Sequence, residues 1–180
     1  MADVGGDFTL TMAELRVVAR YVAESADEVL DVFERAAPDD DRPREAIAAA
    51  RAFVDGAPRS RRQRVAALDA HRAAAEATTE RARLAARCAG DAAAAAYLHP
   101  IARASQVGHI LRAAATVARL AELGADVDAD AAARSLQRSR LRATPVLVDV
   151  LRRYPRPSTR AGSARVAVLM AELDAALREG

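Results

Sequence analysis

Apolar residues recur along the chain at three- and four-residue spacing, and that period predicts helices almost throughout. The first stripe is Leu15, Val18, Val22, Ala26, Val29 and Phe33. It follows a compact start signal in which Thr11 can cap, Glu14 at N3 completes a capping box, and Leu10 can staple onto Leu15. The pattern predicts a single helix from Thr11 to about Ala37, stopped by Pro38, with Glu24, Asp27, Glu28, Asp31 and Glu34 on its outward face. A second helix should begin within Asp39–Pro43, capped by an Asp of the triplet, bury Ile47, Ala50 and Phe53 or Val54, and end at Gly56. Ser60 and Gln63 form another capping box ahead of Val65, Leu68 and an alanine run.

Thr78-Thr79 opens a fourth helix carrying Leu84, Cys88 and Ala92–Ala96, which His99-Pro100 interrupts. A fifth, from Ile101 to about Leu123, aligns Val107, Ile110, Leu111, Ala114 and Val117, and Gly124 ends it. Asp126, Asp128 and Asp130 lead into a sixth through Leu141, Thr144-Pro145 caps a short seventh, and a last helix starts between Ser158 and Ser163 and runs to Glu179. No segment of strand length alternates, and no solenoid signature repeats. The reading is an all-α single domain of six to eight antiparallel helices, packed as a bundle or short solenoid-like array. Its parts are a flexible N-terminus over 1–10, a helical domain over 11–153, and a Pro-linked C-terminal helix over 154–180 packed on the same domain.

Composition narrows this picture. The chain has 180 residues, 52% hydrophobic but only 3% aromatic, with no Trp. The apolar content is therefore mostly alanine, the best helix former and a small one. All 27 basic residues are Arg, a bias that fits codon pressure in a high-GC genome and weakens Arg richness as a sign of nucleic-acid binding. The net charge of +2 hides an asymmetry: residues 1–57 hold 13 acidic and 6 Arg side chains, residues 58–120 hold 4 and 11. Such segregation bears on partners and steering, not on fold. The single cysteine excludes an internal disulfide, and the N-terminus lacks the pattern of a signal peptide, so a reducing cytoplasm is expected.

Catalytic vocabulary is sparse. His71, His99 and His109 lack the spacing of a helical zinc site, and their bland reading is polar groups hydrogen-bonded between helices. Cys88 sits in an alanine-rich stretch with no base in helical register, so it reads as a small buried hydrophobe. Asp39, Asp40 and Asp41 are consecutive rather than alternating, which does not suit a calcium loop. The glycines form no phosphate loop. Arg59, Arg61, Arg62 and Arg64 make the densest basic patch, with no stacking aromatic near them in sequence. No enzyme activity, metal or cofactor is expected.

The elements LTMAELRVVARYVAESADEVLDVFE, PDDDRPREAIAAARAF, AALDAHRAAAEA and AARCAGDAAAAAYLHPIARA resemble the immunity proteins of bacterial polymorphic toxin systems, and more narrowly the Imm-five-like group. Asp41-Arg42-Pro43-Arg44 with Ala46-Ile47 and Ala50-Arg51-Ala52-Phe53 carries the resemblance best; it spans about residues 9–121 and, more loosely, 134–153. Pro100 and the spacing from His99 to His109 depart from the family's paired histidines. The resemblance implies a non-enzymatic protein that neutralises a cognate toxin by occlusion. If that toxin is a nuclease, Glu24, Asp27, Glu28, Asp31, Glu34, Asp39, Asp40 and Asp41 are the candidate contacts for its basic surface. The alternatives are a helical scaffold or a homodimer pairing its acidic and basic segments, and, behind them, a nucleic-acid-binding protein using the basic patch.

Overall fold

A computed structural model describes residues 4–124, 128 and 130–180; Asp126 lies outside the described residues. The fold is all-α. A two-residue antiparallel ladder joins β1 (Val4–Gly5) to β2 (Thr9–Leu10), and nine α-helices follow among the described residues. They are α1 (Met12–Asp27), α2 (Leu30–Ala36), α3 (Arg42–Val54), α4 (Arg61–Glu76), α5 (Glu80–Ala94), α6 (Gly108–Gly124), α7 (Ala131–Arg142), α8 (Pro145–Arg152) and α9 (Arg165–Glu179). None is long and apolar enough to cross a membrane.

Helix α5 occupies the middle, touching α1, α2, α3, α4 and α6, while α6 carries α7 and α9 on its other side. Its buried residues are Ala82, Ala85, Ala86, Cys88, Ala89, Gly90, Asp91, Ala92 and Ala93. Small side chains let neighbouring axes approach toward the short end of the usual range of about 8–10 Å. The larger core residues surround this centre: Leu10, Leu15, Phe33, Phe53, Leu98, Ile110, Leu111 and Tyr154 are fully buried.

The start signals behave as their chemistry requires. Thr11 and Glu14 close a capping box on α1, Ser60 and Gln63 close one on α4, and Thr79 and Thr144 cap α5 and α8 through their hydroxyls. Gly56 lies at φ +111°, the left-handed conformation that a helix C-terminal glycine supplies.

Several boundaries differ from the sequence expectation. The first helix is two, broken at Glu28-Val29, although Val29 and Phe33 stay on the buried stripe. Ser25 donates its hydroxyl to the Tyr21 carbonyl at 2.9 Å, a back-bond that bends helices, and the ladder tightens to a Val29 N–H···Ala26 carbonyl bond. Helix α6 starts at Gly108, not Ile101. The residues before it are held by the N-terminal segment: Asp7 N–H donates to the Pro100 carbonyl and Ala102 N–H to the Asp7 carboxylate, both at 2.8 Å. Helix α9 begins at Arg165, beyond a turn in which Gly162 lies at φ +83°. On α4 the alanines face inward, leaving Val65 and Leu68 exposed. At the start of α3 the side-chain cap comes from Asp40, which accepts from Arg42 N–H at 3.2 Å, while Asp41 makes no such bond.

Tyr154, just past α8, ties the N-terminal segment to the stretch that precedes α6. It is buried, meets Phe8 edge-on at 5.0 Å between ring centres, and donates its hydroxyl to the His99 carbonyl at 3.0 Å. Tyr154→Phe removes one hydrogen bond and should cost about 1 kcal/mol. Tyr154→Ala leaves a cavity against Phe8 and should cost about 3–5 kcal/mol, both read from urea unfolding midpoints.

Candidate functional site

The acidic positions turn out to be interleaved with arginines. Glu24 and Glu28 flank Arg142 of α7, Asp27 pairs with Arg51 at 2.5 Å, Glu34 with Arg44 at 2.6 Å, and Asp31 with Arg35 one turn on. Asp40 holds Arg42 at 2.7 Å, and Arg42 also reaches Glu76 of α4 at 2.5 Å. These contacts hold the Asp40 carboxyl below its usual range, chiefly through the Arg42 hydrogen bond. Asp39 and Asp41 are exposed and form no ion pair among the described residues. The face is therefore a lattice of alternating charge, and its least compensated negative point is the corner between α2 and α3.

The basic patch is also engaged. Arg59 and Arg64 lie over the ring of Tyr97, 5.1 and 4.3 Å from its centre, and the Tyr97 hydroxyl donates to the Ser60 carbonyl at 2.8 Å. An aromatic does stand beside the cluster, contrary to the sequence expectation, because the 3₁₀ turn Ala95–Tyr97 folds back onto the start of α4. Arg62 faces Glu45 at 3.5 Å, and Arg61 is exposed.

The most built polar feature lies elsewhere, between α4, α5 and α6. A cleft of about 460 Å³ is lined by His71 of α4, Arg83, Arg87 and Asp91 of α5, and Arg112 of α6. Asp91 is only 2% exposed. It accepts two hydrogen bonds from the Arg112 guanidinium, at 2.8 and 2.6 Å, the bidentate geometry that satisfies a buried carboxylate. His71 sits directly against Gly90: a β-carbon there would lie 2.6 Å from the imidazole. A second cavity of about 620 Å³ shares Arg87, Asp91 and Arg112 and continues toward α9.

Two histidines feel this environment. Burial holds His71 below its ordinary value, with Arg112 and Arg87 adding to the effect and Asp91 opposing it. Burial likewise depresses His109, with Arg112, His99 and His71 adding and Asp91 opposing. The fold thus gathers residues from three sequence elements that are far apart in the chain. Among the described residues, no three His, Cys, Asp or Glu side chains are placed to share a metal ion. Cys88 is fully buried, its thiol donating to the Ala113 carbonyl at 3.6 Å, and burial pushes its ionisation well up.

Sequence reasoning had no place for Arg83, Arg87, Asp91 or Arg112. Two signals were there to find them. A glycine inside an alanine helix is unfavourable without a packing reason, and a carboxylate amid buried alanines needs a cation.

Fold and site together define an all-α protein with an ion-paired acidic face and a cationic interhelical cleft. The model of one family, Imm-5 like putative immunity protein, matches residues 9–144, and the chain belongs to that family. No curated protein and no solved structure matches it. The matched stretch runs from β2 through α7 and includes every residue of the first cleft.

Gly90 should be tied energetically to His71. With the imidazole removed by His71→Ala, Gly90→Ala should stabilise the helix by about 0.5–1 kcal/mol. In the wild-type background the same change should give no gain or a loss, so the double-mutant cycle measured by urea unfolding is non-additive. The pH dependence follows from the histidines. Both have depressed folded pKa values against an ordinary 6.5, so the unfolded chain binds more protons below neutrality. Stability is therefore full above that value and is lost as pH falls toward the folded pKa values. The unfolding midpoint should be lower at about pH 5.5 than at about pH 7.5, with carboxylates still ionised across most of that window. His71→Gln with His109→Gln should flatten the difference.

Proposed function

We propose that this protein is a non-enzymatic immunity protein that binds and neutralises a cognate bacterial toxin by occlusion in the cytoplasm. The observation that carries the reading is membership of the immunity-protein family over residues 9–144. Supporting it, the one thiol is sealed in the core rather than presented to a substrate. Stoichiometric occlusion needs a complementary face, and the chain offers an acidic corner at Asp39 and Asp41, continued by Asp31, Glu34 and Asp40 and then by Glu24, Asp27 and Glu28. Against a basic toxin surface, such a corner would steer encounter more than it would add to lifetime.

A homodimer joining acidic and basic segments between chains is less favoured. Arg51, Arg44, Arg35 and Arg142 already meet the helix-borne carboxylates within the chain. The test is co-expression with the toxin domain encoded by the adjacent gene, scored by growth and by sedimentation of the purified mixture. Protection with a one-to-one complex is expected. Asp39→Asn with Asp41→Asn should slow association and flatten its salt dependence. Neither protection nor a complex would sink the proposal, and an unchanged association rate in the variant would remove the acidic corner from it.

A further inference from the structure

The two cavities that share Arg87, Asp91 and Arg112 differ in character. The first is cationic: Arg83, Arg87 and Arg112 surround it, and the one carboxylate among its lining residues, Asp91, is committed to Arg112. The second has an apolar wall in which Leu84, Val166 and Met170 take part. Arg119 and Arg165, on its far side, are already paired with Glu80, Glu122 and Glu172. Arg83 and Arg87 are exposed and form no ion pair among the described residues. They stand one turn apart on the same face of α5, a like-charge spacing that destabilises an isolated helix. Asp91 stands one further turn along that face, fixing Arg112 beside them.

The surroundings are arranged at some cost to local stability. Gly90 gives up helix propensity, and what occupies the space thereby left is the His71 imidazole. Gly108 stands at the start of α6, where a β-carbon would press on the Arg112 guanidinium at 3.3 Å. The ring nitrogens of His71 make no hydrogen bond among the described residues, so an N–H is available to the cleft. Three guanidinium groups and an imidazole converging on one cavity match the oxygens of a phosphate group. Each cavity falls within the usual range for ligand sites, about 300–1,000 Å³, and together they exceed what a bare oxyanion fills.

We propose that this cleft binds an organic phosphate monoester. The phosphate lies among Arg83, Arg87, Arg112 and His71, and the organic body lies against Leu84, Val166 and Met170. The proposal does not depend on toxin binding. Asp91 acts as a positioning residue: it fixes the Arg112 guanidinium through Nε and Nη2, and Nη1 is the donor left for the phosphate.

The test is calorimetric titration of the full chain at low ionic strength with inorganic phosphate and with phenyl phosphate. Phenyl phosphate should bind saturably at one site, about tenfold or more tighter than inorganic phosphate, because the ring is removed from water. Arg87→Gln should weaken both by about tenfold or more through loss of charge-assisted bonds. Arg83→Gln should weaken both as well, and Arg61→Gln, remote from the cleft, should leave them unchanged. Thermal unfolding of each variant checks that it is folded; the arginines are exposed, so little change in midpoint is expected. Equal affinity for the two anions would overturn the assignment of an organic body to the second cavity. No saturable binding, or binding unaffected by Arg87→Gln and Arg83→Gln, would overturn the site altogether.

Discussion

The fold depends on how closely four neighbours can approach α5 at once, with α2 packed alongside. A helix of Leu or Ile in that position would hold its neighbours apart, and the space between them would have to be filled by further large side chains. With alanine at six of its nine buried positions, α5 lets backbone approach backbone, and each alanine orders almost no side-chain entropy on folding. The cost is a small apolar area per residue. The chain offsets it by concentrating its large side chains at the margins, where Leu10, Phe33, Phe53 and Tyr154 each close a gap between elements. Close packing of this kind also leaves little room for enlargement, since an added methylene in a filled core costs about 1–3 kcal/mol.

Charge is organised by the same geometry. The segregation of acids to residues 1–57 and arginines to 58–120 suggests two opposed surfaces. Folded, the acids of α1 and α2 meet arginines from α2, α3, α7 and the end of α8, two of which, Arg142 and Arg153, belong to distant parts of the chain. Exposed pairs like these contribute about 0–1 kcal/mol each, so their main effect is to cancel field rather than to hold the fold. Among the charges left outside these pairs are a negative corner at Asp39 and Asp41 and a positive cleft at Arg83 and Arg87.

The helical class and most helix starts were legible because they rest on short-range physics. The boxes at Thr11 and Ser60 and the caps at Thr79 and Thr144 each involve residues within three positions of one another. The apolar stripe from Leu15 to Phe33 was also correct as a face, yet it hid the break at Glu28-Val29, since a kinked helix can keep one side inward. The late start of α6 depends on bonds from Asp7 and Tyr154, roughly ninety and fifty residues away. No local pattern reports those. The cleft could not be assembled for the same reason: Gly90 and Asp91 signal a polar neighbour, but His71, Asp91 and Arg112 are spread over three helices, and an alanine-rich helix shows little of which neighbour each position will face.

Within α5, two departures from local preference fall side by side. Gly90 lowers helix propensity, and Asp91 places a charge in the interior. Either alone could be an accident of packing. Their adjacency is harder to assign to the core, because each is resolved by a different polar side chain from a different helix: His71 fills the space at Gly90, and Arg112 neutralises Asp91. An apolar pair at these positions would pack the same three helices with no buried charge to satisfy. What the present pair achieves instead is to bring an imidazole and a guanidinium to fixed positions beside Arg83 and Arg87. Departures from local rules that converge on one cavity are a mark of a site rather than of a core.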